Sequence, residues 1–383
     1  MSKLHDLITK LCPGGVQYKK LDEVSEIKRG RRVVKKELSQ DSNSGYPVYQ
    51  NSLKPLGYHT CSNEKAGTPF VIAAGSAGEI GYSDVDYWGA DDCYSIECDD
   101  NTVNGRYIYH VLLLKQGRIK SQVRRASIPR LSSTAIKHLE IPVPPIEIQH
   151  EVVRILDTFT ELEAELEAEL ADRIEQYEYY RDHLLNKKNL ERMDGKPVEE
   201  KKLGDLADIG TGSSNTQDQE PDGIYPFYVR SPEVKRSNRF EFDETAVITA
   251  GDGEVGKIFH FVEGKYALHQ RAFRVKPTDS SLDTKFLFYY MKANFRAYVE
   301  RKACSATVKS LRKPMFINFE IPVPSLATQD HVVDILNRFD TLTTSLTEGI
   351  PAEIAMRREQ YEYYRSRLLD FPRLPEDSDS DNE

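Results

Sequence analysis

Apolar residues recur every three or four positions over residues 141–185, and again over residues 321–369, which predicts two long amphipathic helices with one apolar stripe each. The stripes consist of Val152, Ile155, Phe159, Leu162, Leu166, Leu170, Ile174, Tyr177 and Leu184 in the first stretch, and of Val332, Ile335, Phe339, Leu342, Leu346, Ile354, Tyr361 and Leu368 in the second. Each stripe needs an apolar surface to cover it, and the other stripe provides one. We therefore expect an antiparallel, coiled-coil-like pair with a globular domain at each end.

The two stretches are copies of one sequence. Both begin with IPVP, continue with a glutamine (Gln149 and Gln329), VVxIL and a phenylalanine (Phe159 and Phe339), and end with EQYEYYR and two leucines. A repeat this long indicates a duplicated domain, because solenoid repeats span only about 20–50 residues. The second copy has an insertion containing GIP at residues 349–351, where the proline predicts a kink or a break in the helix.

Each copy is preceded by a segment of short β-type runs and turns that ends in a helical pattern. The runs recur in the same order: KLDEVSEIKRG matches KLGDLADIGTG, YPVYQ matches YPFYV, and FVIAAGSAGEIG matches AVITAGDGEVG. The predicted fold class is therefore α+β, with two pseudo-symmetric domains joined by the two long helices. The predicted segments are two domains at residues 1–140 and 191–320, two helical regions at 141–190 and 321–370, and a disordered acidic tail at 371–383.

The acidic residues are concentrated in the helical repeats and the C-terminal tail. The chain has a net charge of -9, but residues 141–190 (5 basic, 12 acidic) and 321–383 (6 basic, 13 acidic) carry -7 each. The globular segments carry +4 over residues 1–140 (20 basic, 16 acidic) and +1 over residues 191–320 (21 basic, 20 acidic). The negative total therefore does not exclude binding to nucleic acid through local basic clusters.

The composition also bears on the cellular location of the protein and on its disulfide and metal chemistry. No run approaches the roughly 18 apolar residues of a membrane span, and charge interrupts the apolar positions of the N-terminal segment, so we expect a cytoplasmic protein. The five cysteines include no CxxC pair. We therefore expect neither a disulfide framework nor a zinc site.

Matches to enzyme motifs are weak. GDGEVGKI at residues 251–258 nearly matches the phosphate-binding loop GxxxxGK[ST], but Ile258 replaces the hydroxyl residue that binds magnesium, and a tight strand-to-strand turn that needs glycine fits better. Glu263 and Lys265 form an E-x-K tripeptide, as in some nucleases, but such tripeptides are common. The Pro-Pro pair is followed by Ile146, which does not fit the proline-aromatic motif of amino-methyltransferases. We expect no catalytic residues and no cofactor in this chain.

Basic clusters in turn-rich segments indicate a binding chemistry instead. KRGRRVVKK has six cations in nine residues, and RRASIPR adds three more. Together with neighbouring Ser, Asp and Gln residues they supply groups that contact phosphates and base edges. The predicted DNA-binding residues are Lys28, Arg29, Arg31, Arg32, Lys35, Lys36, Ser76, Arg124, Arg125, Arg130, Ser213, Ser214, Arg230, Arg236, Arg239, Asp252, Gln270, Arg271, Lys309 and Arg312. A solvated basic loop is the alternative interpretation of each cluster.

The duplicated plan resembles the specificity subunit of type I restriction-modification systems. The resemblance covers residues 1–370 and is most specific at IPVPPIEIQ with ILDTF and at IPVPSLATQ with ILNRF. GSAGEIG and GDGEVG also look like the glycine-rich turn of that family's target recognition domains.

This resemblance implies a non-catalytic protein that reads a split, asymmetric sequence in double-stranded DNA. It implies that the two helical regions dock two modification (methyltransferase) subunits, with Gln149, Phe159, Gln329 and Phe339 as the candidate partner-binding residues. It further implies two restriction subunits, and S-adenosylmethionine, ATP and Mg on the partner subunits. A coiled-coil interaction protein and a self-contained DNA-modifying enzyme are the alternatives, and a gel-shift assay with and without modification subunits separates the three.

Overall fold

The computed structural model describes residues 3–99, 101–125, 127–302 and 310–375. Its contacts divide the chain into two compact units. The first unit contains Met1–Leu166 and Ile354–Glu383, and the second unit contains Glu167–Glu353. The first unit is therefore built from two separate pieces of the chain.

Helices occur in both units. They are α1 (Lys3–Leu11), α2 (Leu21–Val24), α3 (Gly105–Leu114), α4 (Gln116–Ser121), α5 (Ser133–Lys137), α6 (Ile146–Leu184), α7 (Lys187–Asp194), α8 (Leu203–Leu206), α9 (Thr284–Lys302), α10 (Lys313–Ile317), α11 (Leu326–Thr344) and α12 (Ile350–Leu368). Short 3-10 turns lie at Lys35–Glu37, Ser42–Ser44 and Thr216–Asp218. No helix in the described ranges is both long enough and apolar enough to cross a membrane.

The strands are short. They are β1 (Gln17–Lys20), β2 (Ser25–Arg29), β3 (Tyr46–Tyr49), β4 (Gly57–His59), β5 (Phe70–Ile72), β6 (Ile80–Gly81), β7 (Trp88–Gly89), β8 (Cys93–Cys98), β9 (Glu140–Val143), β10 (Glu199–Lys202), β11 (Ala207–Thr211), β12 (Tyr225–Tyr228), β13 (Lys235–Ser237), β14 (Phe242–Asp243), β15 (Ala246–Ala250), β16 (Phe259–Val262), β17 (Lys265–Leu268), β18 (Ala272–Pro277) and β19 (Glu320–Val323).

Two sheets form the globular part of the first unit. The larger sheet has the order β2-β8-β5-β6 with antiparallel neighbours, and the smaller has the order β4-β3-β7, in which β3 and β7 run parallel. One core cluster joins Val71 and Ile96 of the larger sheet to Ile108 of α3. A second cluster packs Phe70 of the larger sheet with Tyr49 of the smaller. β5, with Val71 in the first cluster and Phe70 in the second, therefore buries both of its faces.

The second unit repeats this plan. Its sheets have the orders β11-β18-β15-β16 and β13-β12-β17-β14, and β12 runs parallel to β17. β14 pairs with β17 at the place where the first unit has an isolated bridge between Glu64 and Tyr87. The α+β class and the internal duplication are thus confirmed, with β14 as one strand that the described residues of the first unit lack.

The two IPVP segments form short strands with equal registers. β9 pairs with β1 so that Glu140 lies opposite Lys20, and β19 pairs with β10 so that Glu320 lies opposite Lys202. Ile141 and Ile321 are both completely buried. Each copy therefore leads from its pair of sheets into the following helix in the same way.

In the first unit, α6 and α12 pack antiparallel. Phe159 of α6 stacks on Tyr364 of α12 with ring centroids 5.2 Å apart, and further along α6 Glu163 accepts a hydrogen bond from Arg358, which precedes Tyr364. Tyr361 of α12 lies in the core of this unit and is 9% exposed. The second copy of EQYEYYR thus completes the first unit.

In the second unit, α6 and α7 pack antiparallel to α11. Tyr180 of α6 stacks on Phe339 with ring centroids 5.5 Å apart, and Asp194 at the end of α7 accepts hydrogen bonds from Ser325 N (2.9 Å) and Thr328 Oγ1 (2.8 Å) at the start of α11. The first copy of EQYEYYR therefore lies in the second unit. The two copies of this motif are exchanged between the units, and the predicted antiparallel packing of the helical regions is confirmed within each unit.

The second helical region is broken, as its sequence predicts. α11 ends at Thr344 and α12 begins at Ile350. A Cβ atom at Gly349 would lie 2.4 Å from the carbonyl oxygen of Thr341, so no other residue fits there without movement of the backbone. The apolar stripe predicted over residues 321–369 is consequently divided between two shorter helices, α11 and α12.

Phe371 and Leu374, which fall within the tail predicted as disordered, are instead packed or hydrogen-bonded in the first unit. Phe371 is 5% exposed and belongs to the core of the first unit, and Leu374 N donates a 3.0 Å hydrogen bond to Val16 O. This part of the prediction was wrong because the tail's acidic composition concealed an apolar anchor at its start. The acidic residues 376–383 lie outside the described residues.

Candidate nucleic-acid interface

The glycine turn between β5 and β6 lies beside the basic RRASIPR segment. Gly75 N donates to Pro129 O (3.3 Å), and Ser76 N donates to Asn51 O (2.9 Å). Arg124 N and Arg130 O are 2.9 Å apart, while Arg130 N donates back to Arg124 O at 3.2 Å. This backbone pair closes a narrow hairpin, and Arg124, Arg125 and Arg130 are all exposed. The structure therefore brings these predicted residues and Ser76 into one patch.

The KRGRRVVKK cluster forms a second patch in the first unit. Lys28 makes ion pairs with Glu26 (3.2 Å) and with Glu97, so its charge is largely neutralised. Arg29 donates through Nε to Asp91 O at 2.8 Å. The remaining cations, Arg31, Arg32, Lys35 and Lys36, are exposed. Among the described contacts, no hydrogen bond or ion pair joins this cluster to the turn at Ser76.

In the second unit, Asp252 lies between two arginines. Its carboxylate accepts from Arg230 Nη1 at 2.9 Å and from Arg271 Nη1 at 3.3 Å. Burial alone would raise the pKa of the Asp252 carboxyl, but the two guanidinium groups hold that pKa below its ordinary value. Asp252 therefore stays ionised and orients the two cations.

The predicted polar residues Ser213, Ser214 and Gln270 of the second unit lie close to Arg271. Glu241 accepts from Ser213 N (2.8 Å), Ser214 N (3.1 Å) and the Ser214 hydroxyl, and Gln270 N donates to Ser214 O (2.9 Å). Gln270 also donates through its amide to Asn215. Ser214 and Gln270 are thus brought together, next in sequence to Arg271.

The other predicted cations of the second unit are exposed but dispersed. Arg236 lies on β13, Arg239 follows that strand, and Arg312 precedes α10. Lys309 lies outside the described residues.

The two glycine turns correspond with a shift of two residues from the alignment suggested by their sequences. Gly75 (φ +83°) matches Gly253 (φ +79°), and Gly78 (φ +85°) matches Gly256 (φ +68°), because these are the left-handed positions of equivalent strand-to-strand turns. The tight turn expected at GDGEVGKI is confirmed. Ser76 consequently matches Glu254 and not Asp252.

The two matched glycines differ in the space around them, which allows a test. Alanine is strained by about 1–2 kcal/mol in the left-handed conformation, so both Gly75→Ala and Gly253→Ala should destabilise their units. At Gly75 the added Cβ would also lie 2.8 Å from Asn51 O, whereas at Gly253 no atom lies within 4 Å. Gly75→Ala should therefore cost clearly more stability, and should displace the Asn51 loop.

Urea unfolding measures this difference. The fluorescence of Trp88, the single tryptophan of the chain, reports on the first unit, and hydrogen exchange of β15 and β16 reports on the second. Gly117→Ala is the control, because Gly117 lies in α4 with nothing within 4 Å, and alanine there should stabilise by about 0.5–1 kcal/mol. Equal losses at Gly75 and Gly253 would contradict the role assigned to Asn51.

The candidate partner-binding glutamines are structural. Gln149 is completely buried, accepts from Asn104 N (2.9 Å), and donates to Thr102 O (3.1 Å) and Pro144 O (2.8 Å). Gln329 makes the equivalent set of bonds with Asp283 N, Ser281 O and Pro324 O. These side chains have no surface to offer a partner, so their prediction as partner contacts is corrected. The repetition of this glutamine in both copies therefore indicates a shared structural role within the fold.

Aromatic residues near the helix pairs remain accessible. Phe159 and Phe339 are half-buried, each under a tyrosine of an EQYEYYR motif. The last two tyrosines of each motif are exposed, by 65% and 42% in the first copy and by 53% and 42% in the second. They are Tyr179 and Tyr180, and Tyr363 and Tyr364. These tyrosines were not among the residues predicted from the sequence, although their repetition in both copies could have indicated them.

A buried polar cluster fastens α12 to α3 in the first unit. His110 is completely buried, with Nε2 2.9 Å from Asp157 Oδ1 and Nδ1 2.9 Å from the Tyr361 hydroxyl. The ionised Asp157 can only accept, so Nε2 carries the proton and Nδ1 accepts from Tyr361. Burial lowers the pKa of His110 despite the carboxylate, which keeps the imidazole neutral. The second unit has Tyr289 bonded to Asn337 at the equivalent place, which makes this cluster structural and not catalytic.

No group of three or more His, Cys, Asp or Glu side chains with the arrangement of a metal site occurs among residues 3–99, 101–125, 127–302 and 310–375. The side chains of the candidate interface are cations and hydrogen-bonding groups at exposed turns and strand ends. This arrangement can bind polyanions and read hydrogen-bonding groups.

Comparison with known proteins identifies the same plan elsewhere. The family model for the type I restriction modification DNA specificity domain matches twice, at residues 13–176 and 195–356. The specificity subunit of the type I restriction enzymes EcoR124I and EcoR124II of Escherichia coli is 32% identical over 306 residues, which cover 72% of this chain and 73% of that protein.

Two further similarities extend over nearly the whole chain. A type I restriction enzyme specificity subunit of Haemophilus influenzae is 28% identical over 97% of this chain and 100% of its own length. The crystal structure of the S subunit of a type I restriction-modification system from M. genitalium shares the fold, with a TM-score of 0.66 and 16% identity over 93% of this chain and 96% of that one.

Proposed function

The chain belongs to the family of type I restriction-modification DNA specificity proteins, and from this premise we propose that it reads a two-part DNA target and holds two modification subunits. It is a non-catalytic specificity subunit of such a system. The observation that carries the proposal is the duplication: one scaffold of sheets and helices occurs twice, with different side chains on its exposed turns.

Each unit reads one half of the target in this proposal. The segments predicted at residues 1–140 and 191–320 supply the two target recognition domains, and the helical regions connect them. The matched turns support separate specificities, because Ser76 in one corresponds to Glu254 in the other, and these side chains offer different hydrogen-bonding groups.

Mapping of methylated bases tests this proposal. Cells that express the chain with its modification subunits should carry methylation at one sequence composed of two separate parts. Exchange of residues 20–140 for the equivalent segment of another family member should change one part only. A change in both parts would exclude modular recognition.

The exposed tyrosine pairs are the proposed docking sites for the modification subunits. Each unit offers one pair beside a half-buried phenylalanine, on a helix pair whose exposed surface is acidic. Aromatic side chains contribute large contact areas at protein interfaces. Two equivalent surfaces support two modification subunits per chain. Methyl transfer with S-adenosylmethionine, and ATP and Mg chemistry on restriction subunits, belong to the partners in this proposal.

The basic patches should act on affinity more than on sequence choice. Arg31→Ala with Arg32→Ala removes two exposed cations, so affinity should fall for all DNA sequences alike, and the slope of log K against log salt should decrease by about 0.9 for each lost phosphate contact. Binding of the assembled complex to DNA at several salt concentrations measures both quantities. Lys28→Ala is the matched control, because two carboxylates already neutralise Lys28. An unchanged salt slope in the double variant would place this cluster away from DNA.

A further inference from the structure

The geometry points to Glu64 as a specificity-determining residue of the first unit, whose carboxylate accepts a hydrogen bond from the exocyclic amino group of a cytosine in the major groove. This inference rests on the proposed DNA-reading function and names one base contact within it. Glu64 was not among the residues that the sequence singled out.

Glu64 lies in a groove of about 490 Å³ on the first unit. Four cations line this groove, namely Lys28, Arg29, Arg31 and Lys65. These cations outnumber the two carboxylates of the groove, Glu64 and Glu97, so the groove attracts the phosphate backbone, and an acceptor inside it can meet the edge of a base. Glu64 therefore lies where a base contact would be expected between phosphate contacts.

The carboxylate is held in place on one side and available on the other. Oε1 accepts a 2.9 Å hydrogen bond from the Ser95 hydroxyl on β8, and the Glu64 backbone pairs with Tyr87 in both directions. Oε2 accepts no hydrogen bond from the described residues. A fixed acceptor with one unused oxygen is suited to a directional contact with a donor.

The duplicated fold does not require a carboxylate at this position. The strand registers match Glu64 with Phe242 and Ser95 with Arg274. In the second unit the guanidinium carbon of Arg274 lies 4.7 Å from the centre of the Phe242 ring, and the guanidinium pairs with Glu244 (3.0 Å) and Asp208, so an apolar side chain replaces the acceptor at the matched position. The scaffold is therefore compatible with either chemistry, and Glu64 is a feature of the first unit only.

The state of the carboxylate before binding fits this role. Burial raises the pKa of the Glu64 carboxyl, although Ser95 and the nearby cations oppose the shift. Because the carboxyl group is already partly desolvated in the unbound chain, a donor on a base adds a hydrogen bond with little further loss of water.

The major groove offers amino donors on cytosine (N4) and adenine (N6). Both amino groups lie beside an acceptor of the paired base, but adenine adds its own N7 acceptor on the other side of N6, where it would repel a carboxylate, whereas cytosine has a C5–H group there. A carboxylate therefore favours cytosine, and glutamine in its place, with both a donor and an acceptor, favours adenine.

The test maps methylated sequences in cells that express the modification subunits with the wild-type chain, with Glu64→Gln, or with Glu97→Gln. Glu97 is the matched control, because its carboxylate lies in the same groove but is 55% exposed and paired with Lys28. The wild-type chain should require a cytosine at one position of one half-site. In Glu64→Gln the discrimination at that position should fall about ten- to a hundredfold and adenine should be admitted, with every other position unchanged.

Ser95→Ala provides a second variant. It frees Oε1 without removing the charge, so it should weaken discrimination at the same position, and Trp88 fluorescence verifies that the first unit remains folded. A wild-type motif that Glu64→Gln and Ser95→Ala both leave unaltered would overturn the inference alone. A wild-type chain that directs methylation to no defined sequence would overturn the proposed function, and this inference with it.

Discussion

Replacement of Gln149 by leucine should cost the first unit about 3–5 kcal/mol of folding stability. The substitution removes three hydrogen bonds of a completely buried amide and leaves Asn104 N, Thr102 O and Pro144 O without partners. Each buried group left unpaired costs about 1–3 kcal/mol. The midpoint of urea unfolding, followed by the fluorescence of Trp88, measures the loss.

Two other glutamines provide the controls. Gln329→Leu should remove an equivalent set of bonds from the second unit and leave the Trp88 transition nearly unchanged. Gln122→Leu, at an exposed position of the first unit, should change stability by no more than about 0.5 kcal/mol. If Gln149→Leu folded with wild-type stability and lost only partner binding, the original prediction of a partner contact would be restored.

A chain that ends at Glu353 should lose the structure of the first unit and keep that of the second. The missing residues include Tyr361, Leu369 and Phe371, which are 9%, 2% and 5% exposed in the core of the first unit. Burial of each such side chain contributes about 1.5–3 kcal/mol, so their joint loss approaches the whole stability of about 5–15 kcal/mol that a domain has.

Hydrogen exchange resolves the two units in this experiment. Residues 3–166 should exchange nearly as in an unfolded chain, while the described residues of the range 167–353 should keep their protection. A chain that ends at Pro375 is the control and should behave as the full chain, because it lacks only the acidic residues outside the described ranges. Loss of protection in the second unit, with the first intact, would mean that the division of the chain is wrong.

Much of the fold was legible in the sequence because it depends on local periodicity and on repetition. The spacing of three and four placed α6, and the insertion with Gly349 placed the break before α12. The exchange of the EQYEYYR motifs was not predictable in this way. Both copies of EQYEYYR can make the same contacts in either unit. The sequence pattern therefore predicts the helix-helix interface but not which copy packs in which unit.

The candidate site was predictable in its charges and not in its geometry. The exposed arginines were predictable from composition, because a cluster with as many cations as KRGRRVVKK is too polar to be buried in a core. Gln149 was assigned to the wrong role because a glutamine repeated in both copies can be either a buried structural residue or a partner contact, and the sequence does not distinguish the two. Glu64 was missed because its surroundings, Ser95 and the cations of the groove, come from distant parts of the chain.

The two pieces of the first unit also have a consequence for synthesis on the ribosome. Its sheets and most of its core leave the ribosome first, but its last core residues, Leu369 and Phe371, are made only after the whole second unit. At about 5–20 residues per second, the roughly 190 residues between the pieces impose a delay of about 10–40 s. Translation of the second unit begins later but is complete before the last residues of the first unit are made. The second unit can therefore finish folding first. During that interval the nascent first unit has an open apolar site, which is where we expect chaperones to bind.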